Sequence, residues 1–227
     1  MVGLFLFPCS IIASLKVKRW IYFPATLAPV EQNYRSILKS YTDRYVQLSD
    51  VAIEDFFESL SEEHFKKKEI LLSPGSFCTK QYFVLNGCFR SYFIKPNGTE
   101  QTFNFAIENW WMTESVSYAT NKPSQYYLQA LEDATALSIS KEKLEALFDK
   151  HQSIERLFRI IAEKTSIAAQ QRVVYMMTMS REEAYEKFEI LTYPFSERIP
   201  QYMIASYLGF TPEFLSMIRA KKKKAKT

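Results

Sequence analysis

The sequence predicts an α+β chain: a β-barrel or jelly-roll domain, then a long helix, then an all-α helix-turn-helix domain at the C-terminal end. Three observations carry this. Short alternating runs, separated by turn residues, fill residues 69–140. A stretch from Ser153 to about Met179 lacks Gly and Pro and repeats apolar residues at helical spacing. Residues 180–227 then hold a capping box, a glycine turn and a Thr-Pro helix start, in that order.

Residues 1–33 read as an extension outside the fold. Val2 to Leu15 is mostly apolar, but shorter than the roughly 18 residues needed to span a bilayer. Lys16, Lys18 and Arg19 follow the run, whereas a secretion signal carries its charges first. Pro24 and Pro29 separate it from the rest, and no membrane association is expected.

Residues 34–150 read as the β-domain with its flanking helices. Ile37, Leu38, Tyr41, Tyr45 and Leu48 fall at helical spacings, and Ser49 or Asp50 can cap a second short helix carrying Phe56, Phe57 and Leu60. Ser61 to Lys68 is polar and reads as the close of the helical part. Strands are predicted at 69–73, 81–85, 88–94, 101–105, 125–131 and 134–140. Asn86-Gly87 and Asn97-Gly98 lie between alternating runs and both read as hairpin turns, because Asn and Gly tolerate positive φ. Ser140 can cap a short helix to Asp149.

Residues 151–179 read as a dimerisation helix. Ile154, Leu157, Ile161 and Ala168 mark one apolar stripe and Ile160, Ile167 and Val174 another. A helix apolar on two sides must bury both. One side can cover its own β-domain, and the other fits a homodimer partner. Ile154, Leu157, Ile161 and Ala168 are the expected dimer contacts.

In residues 180–227, Ser180 and Glu183 form the capping box, Pro200 opens a short helix, Gly209 permits a left-handed turn, and Thr211-Pro212 starts the last helix. Ile204, Leu208, Leu215 and Ile218 can pack beneath. In such a motif the second helix enters the major groove. Charge agrees with a polyanion partner: the chain is +4 overall, yet residues 196–227 hold seven bases and two acids while residues 34–195 hold 19 bases and 22 acids. Glu213, Ser216 and Met217 share one helix face and are the expected base readers. Thr211, Arg219, Lys221 and Lys222 are the expected remaining contacts to double-stranded DNA.

Several chemistries are excluded. Five glycines and no G-x-G-x-x-G rule out a phosphate-cradling loop. Two distant histidines, His64 and His151, and three cysteines without C-x-x-C spacing leave no metal site. No G-x-S-x-G elbow exists. No enzyme activity, cofactor or metal is expected, and the cysteine usage fits a reducing cytoplasm.

The run Ile204-Ala205-Ser206-Tyr207-Leu208-Gly209-Phe210-Thr211-Pro212-Glu213-Phe214-Leu215-Ser216 resembles the helix-turn-helix of the Crp/Fnr family of transcription regulators. Phe83-Val84-Leu85-Asn86-Gly87, Arg90 and Asn97-Gly98-Thr99-Glu100 resemble that family's effector-domain hairpins. The resemblance implies a cyclic-nucleotide-binding-like β-roll, a dimer helix, DNA as partner, contact with RNA polymerase and an effector pocket. Carried onto this chain, that pocket involves Arg90, Trp110, Trp111, Glu114, Gln125 and Tyr126. The chain departs from cyclic-nucleotide-binding members, because no arginine lies between Arg90 and Arg156 to hold a cyclic phosphate. Neither a cysteine cluster for iron–sulfur nor a spare haem histidine is present. A second reading keeps the domains but makes the protein a small-molecule or protein-binding sensor without DNA-binding function.

Overall fold

The computed structural model describes residues 34–225, so the 1–33 extension lies outside the described residues, as do the side chains of Lys223 and Lys224. Helices α1 (Tyr34–Thr42) and α2 (Asp50–Ser59) come first. Ser49 caps α2, its hydroxyl accepting from the Ala52 amide at 3.2 Å. Eight strands follow: β1 (Ser61–Phe65), β2 (Ile70–Leu72), β3 (Lys80–Asn86), β4 (Phe89–Ile94), β5 (Glu100–Ala106), β6 (Trp111–Met112), β7 (Tyr127–Ala130) and β8 (Ala134–Ser140). A short helix α3 (Ser115–Thr120) sits between β6 and β7. The strands form two antiparallel four-stranded sheets, ordered β1-β8-β3-β6 and β2-β7-β4-β5.

Strand β3 shows how the layers are built. Tyr82 and Val84 pack between the sheets with Phe65, Phe89, Ala130 and Ala136. Phe83 points the other way, as strand alternation requires. It joins Leu38, Phe56 and Phe57 from the N-terminal helices and Leu144, Ile154 and Leu157 from α4 (Lys141–Lys150) and α5 (Gln152–Thr178). Both faces of this strand are therefore apolar.

Three expectations are corrected here. Residues 61–65 form strand β1 rather than closing the helical part. As an edge strand only Phe65 is buried, so no alternating pattern marks it. Asn97-Gly98 does turn the β4–β5 hairpin, with the Gly98 amide donating to Lys95 O at 2.9 Å. Asn86-Gly87 makes no hairpin: β3 pairs with β6 and β8, while β4 pairs with β5 and β7, so the chain crosses from one sheet to the other at this point. Gly87 has φ of 101°, and a Cβ there would lie 2.4 Å from Ala134 Cβ. Finally, Ile154 and Leu157 are fully buried in this chain's own core and Ile161 packs half-buried against it. Ile154 and Leu157 are thus intrachain contacts, while Ile161 and Ala168 are half-buried in the single chain. The free stripe is the other one, with Ile167 53% and Val174 51% exposed.

The C-terminal unit contains α6 (Arg181–Thr192), a 3-10 turn (Phe195–Arg198), α7 (Gln201–Leu208) and α8 (Pro212–Ala225). Both halves of the Ser180/Glu183 capping box form. The hydrogen bonds from Ser180 hold the Glu183 carboxyl below its ordinary pKa. Among the described residues, no helix is long and apolar enough to cross a membrane.

Candidate nucleic-acid interface

The turn between α7 and α8 follows from its residues. Gly209 adopts φ of 75°, its amide donates to Ser206 O at 3.1 Å, and the Phe210 amide donates to Ala205 O at 2.8 Å. This is a Schellman closure, which needs a left-handed residue at that position. Thr211 then caps α8, accepting from the Phe214 amide at 3.2 Å, with Pro212 as first helical residue. Ile204, Ala205, Leu215 and Ile218 are buried together with Tyr185, Phe188 and Met203. The angle between α7 and α8 is thus held by a packed seam.

What α8 leaves outside is Glu213, Ser216, Met217, Arg219, Ala220 and Lys221. Glu213, Ser216, Met217 and Ala220 lie at i, i+3, i+4 and i+7, one face of the helix. Met217 is 50% exposed, a large apolar group offered to solvent.

Two expected phosphate contacts are engaged inside the domain. Lys222 Nζ lies 2.8 Å from Glu189 Oε2 and 3.5 Å from Glu186 Oε1, and 5.3 Å from the Tyr185 ring centroid. Burial opposes ionisation of Glu189, yet bonds from Lys222 and Tyr185 bring its pKa below the ordinary value. The Arg219 guanidinium faces the Gln201 side chain, whose amide oxygen, turned toward it, accepts at 2.7 to 3.2 Å. Lys221 is exposed.

The residues assigned to an effector pocket are dispersed. Trp111 packs among Phe56, Phe83 and Phe158, at 6.2, 5.3 and 4.9 Å between ring centroids, and is core. Glu114 is the cap of α3, its carboxylate accepting from the Val116 and Ser117 amides at 2.9 Å each. Trp110 packs beside the seam between the roll and the C-terminal unit. Gln125 is exposed, and Tyr126 lies edge-on to Phe103 at 4.9 Å. Arg90 is 4% exposed and faces away from the inter-sheet core, on the side of β4 opposite Phe89. It donates to Gln129 Oε1 at 2.6 and 2.8 Å, pairs with Glu100 at 2.6 Å and lies 3.9 Å from the Tyr92 ring centroid.

Sequence reasoning did not find the contacts that join the C-terminal unit to the roll. Arg198 pairs with Glu108 at 2.8 Å and with Glu132. These bonds hold its pKa above the ordinary guanidinium value against the effect of burial. Arg172 of α5 donates to Phe103 O on β5 and, at 2.9 Å, to Tyr207 O on α7. No local signal announces these pairs, since their partners stand 35 to 90 residues apart. Burial pushes the Cys88 thiol up, so it is a small hydrophobe of this seam. Among the described residues no group of His, Cys, Asp or Glu can hold a metal ion.

Comparison with known proteins agrees with this architecture. Residues 62–151 match the family model of the cyclic nucleotide-binding domain. Among solved structures the chain is similar to a putative transcriptional regulator of the Crp/Fnr family from Eubacterium rectale, at 17% identity and TM-score 0.61, over 78% of this chain and 85% of that one. The chain has the Crp/Fnr fold. FixK2 from Bradyrhizobium japonicum shares it, at 16% identity and TM-score 0.65, over 73% of this chain and 85% of that one. So does the c-di-GMP-responsive regulator CLP of Xanthomonas campestris, at 14% and 0.62, over 78% and 93%. No curated protein matches the sequence. In Crp/Fnr-fold terms, the two sheets are the roll, α5 is the helix linking it to the C-terminal unit, and α7–α8 is the helix-turn-helix.

Proposed function

We propose that this protein is a homodimeric DNA-binding transcription regulator whose roll does not take cyclic AMP. The observation that carries the reading is α8: its apolar side is locked into a packed seam while Glu213, Ser216 and Met217 stand free on one face. The basic C-terminal end and the Crp/Fnr fold support it. Glu213 suits a cytosine amino group and Met217 a thymine methyl. Lys221 supplies phosphate affinity without sequence information. Dimerisation is supported by the free Ile167/Val174 stripe of α5. RNA polymerase is the partner that regulation of transcription implies.

Mapping of bound genomic DNA would yield the operator. Against matched and scrambled operators, Glu213→Ala should relax discrimination by roughly 1–3 kcal/mol, whereas Lys221→Ala should weaken both alike and lower the salt slope by about one. Equal weakening of both operators by Glu213→Ala would reduce Glu213 to a helix-terminus charge.

Binding of cyclic AMP should be undetectable by calorimetry at micromolar concentration. Arg90 is already committed to Glu100 and Gln129, Glu114 to the α3 amides, and no arginine lies between Arg90 and Arg156. A micromolar dissociation constant would reject this part of the reading.

A further inference from the structure

The exposed face of α8 made by Glu213, Ser216, Met217 and Ala220 carries no cation. The basic side chains around it are turned elsewhere. The Arg219 guanidinium is directed at the Gln201 side chain of α7. Lys222 is paired with Glu186 and Glu189, and Arg181 lies 5.1 Å from the Phe214 ring centroid. Lys221 is exposed, but it stands in the C-terminal half of α8, whereas a recognition helix reads bases with its N-terminal residues. The first residue of α8 is Pro212, which has no donor in its side chain or its backbone.

The chemistry of that face is one carboxylate, one hydroxyl and two hydrocarbon ends. Guanine shows the major groove two acceptors, N7 and O6, and is read by a pair of donors. The Ser216 hydroxyl has one O–H, so these four side chains cannot supply that pair. A carboxylate only accepts, and the cytosine N4 amino group is the donor that has no acceptor crowding it on the same base edge. Met217 and Ala220 can make apolar contact alone, and the hydrocarbon of the major groove is the methyl on C5 of a pyrimidine. The unbranched, polarizable Met side chain adapts to its position. The spacing also fits, since residues 213 to 220 of a helix span about 10.5 Å, about three base-pair steps of 3.4 Å. We infer that α8 reads its operator through pyrimidine C5 methyl groups rather than guanine. Met217 and Ala220 determine specificity, and Glu213 fixes the register on a cytosine. The methyl comes from thymine or from 5-methylcytosine, which carries an amino and a methyl group side by side. The inference rests on the DNA-binding reading above and names the class of operator that reading requires.

The test uses the full chain and the half-site it enriches from a random-sequence duplex library. Replacing thymines one at a time by deoxyuridine removes only the C5 methyl and keeps the base pair. Affinity at fixed salt should fall about three- to fivefold at one or two positions of the half-site, the effect of one methyl group taken out of apolar contact. Replacing guanines by 7-deazaguanine removes the N7 acceptor and should leave affinity unchanged. The uracil effect should shrink in Met217→Ala or in Ala220→Ser, at the position each side chain covers. Both residues are exposed, so an unchanged melting temperature confirms that each variant is folded. Methylating C5 of the cytosine that Glu213→Ala no longer discriminates separates the two sources. Tighter binding places the methyl on that cytosine, and unchanged binding beside a uracil effect places it on a neighbouring thymine. A half-site indifferent both to uracil and to cytosine methylation would overturn the inference, as would a 7-deazaguanine effect larger than any uracil effect. A uracil effect that persists in full in both variants would take the readout away from Met217 and Ala220. If the chain binds no duplex at all, the DNA-binding reading itself fails, whereas binding without methyl dependence overturns the methyl readout alone.

Discussion

Replacing both Ile167 and Val174 with glutamate should turn the protein into a monomer. The two residues stand seven apart on a helix of 27 residues, and each is about half exposed in the single chain. Ile160 continues the same stripe one heptad earlier. Buried uncompensated charge costs about 3–5 kcal/mol, so the dimer dissociation constant should rise by about a hundredfold or more. Sedimentation at micromolar concentration reads the effect directly. Operator affinity should fall with it, since two linked half-site contacts become one. Ile161→Glu separates this interface from the core, because Ile161 packs against Leu157 and its neighbours in the same chain. That change should lower thermal stability instead. An unchanged oligomer in the double variant would place the dimer face elsewhere.

Gly87→Ala should destabilise the fold by about 3–5 kcal/mol. Positive φ at a residue with a Cβ costs roughly 1–3 kcal/mol, and forcing a methyl into filled space costs about 1–3 more. At this position the new Cβ would meet Ala134 Cβ at 2.4 Å and Ala134 Cα, a backbone atom, at 2.8 Å. The melting temperature should fall by on the order of 10 °C for a chain of this size. Gly98→Ala is the matched control: its φ is 81° but nothing lies within 4 Å of the added carbon. Only the conformational cost should appear there. Equal losses at the two positions would mean that the close approach of Gly87 to β8 is wrong.

What the sequence by itself determined is the set of features closed within three or four residues. Ser49, Ser140, the Ser180/Glu183 box, Gly209 and Thr211-Pro212 each satisfy backbone groups that would otherwise be orphaned at a helix end. Their donors and acceptors are near neighbours in the chain, so residue type and spacing suffice. The helix-turn-helix was legible for that reason, as was the free face of α8, which follows from helical spacing alone. Tertiary structure decided everything that depends on a distant partner. Asn86-Gly87 carries a hairpin signal, but β3 gains more by pairing with β8, and the same dipeptide becomes a corner between sheets. Residues 61–65 have no strand pattern of their own and become β1 because β8 presents an open edge. The long helix has two apolar stripes of similar quality, and only the position of Phe56, Leu144 and Phe83 determines that Ile154 and Leu157 face inward while Ile167 and Val174 remain free. The engagement of Arg90, Arg198 and Lys222 likewise depends on carboxylates 10, 90 and 33 residues away. A side chain's charge can be read in sequence, but its partner is set by which surfaces the closed sheets and packed helices bring together.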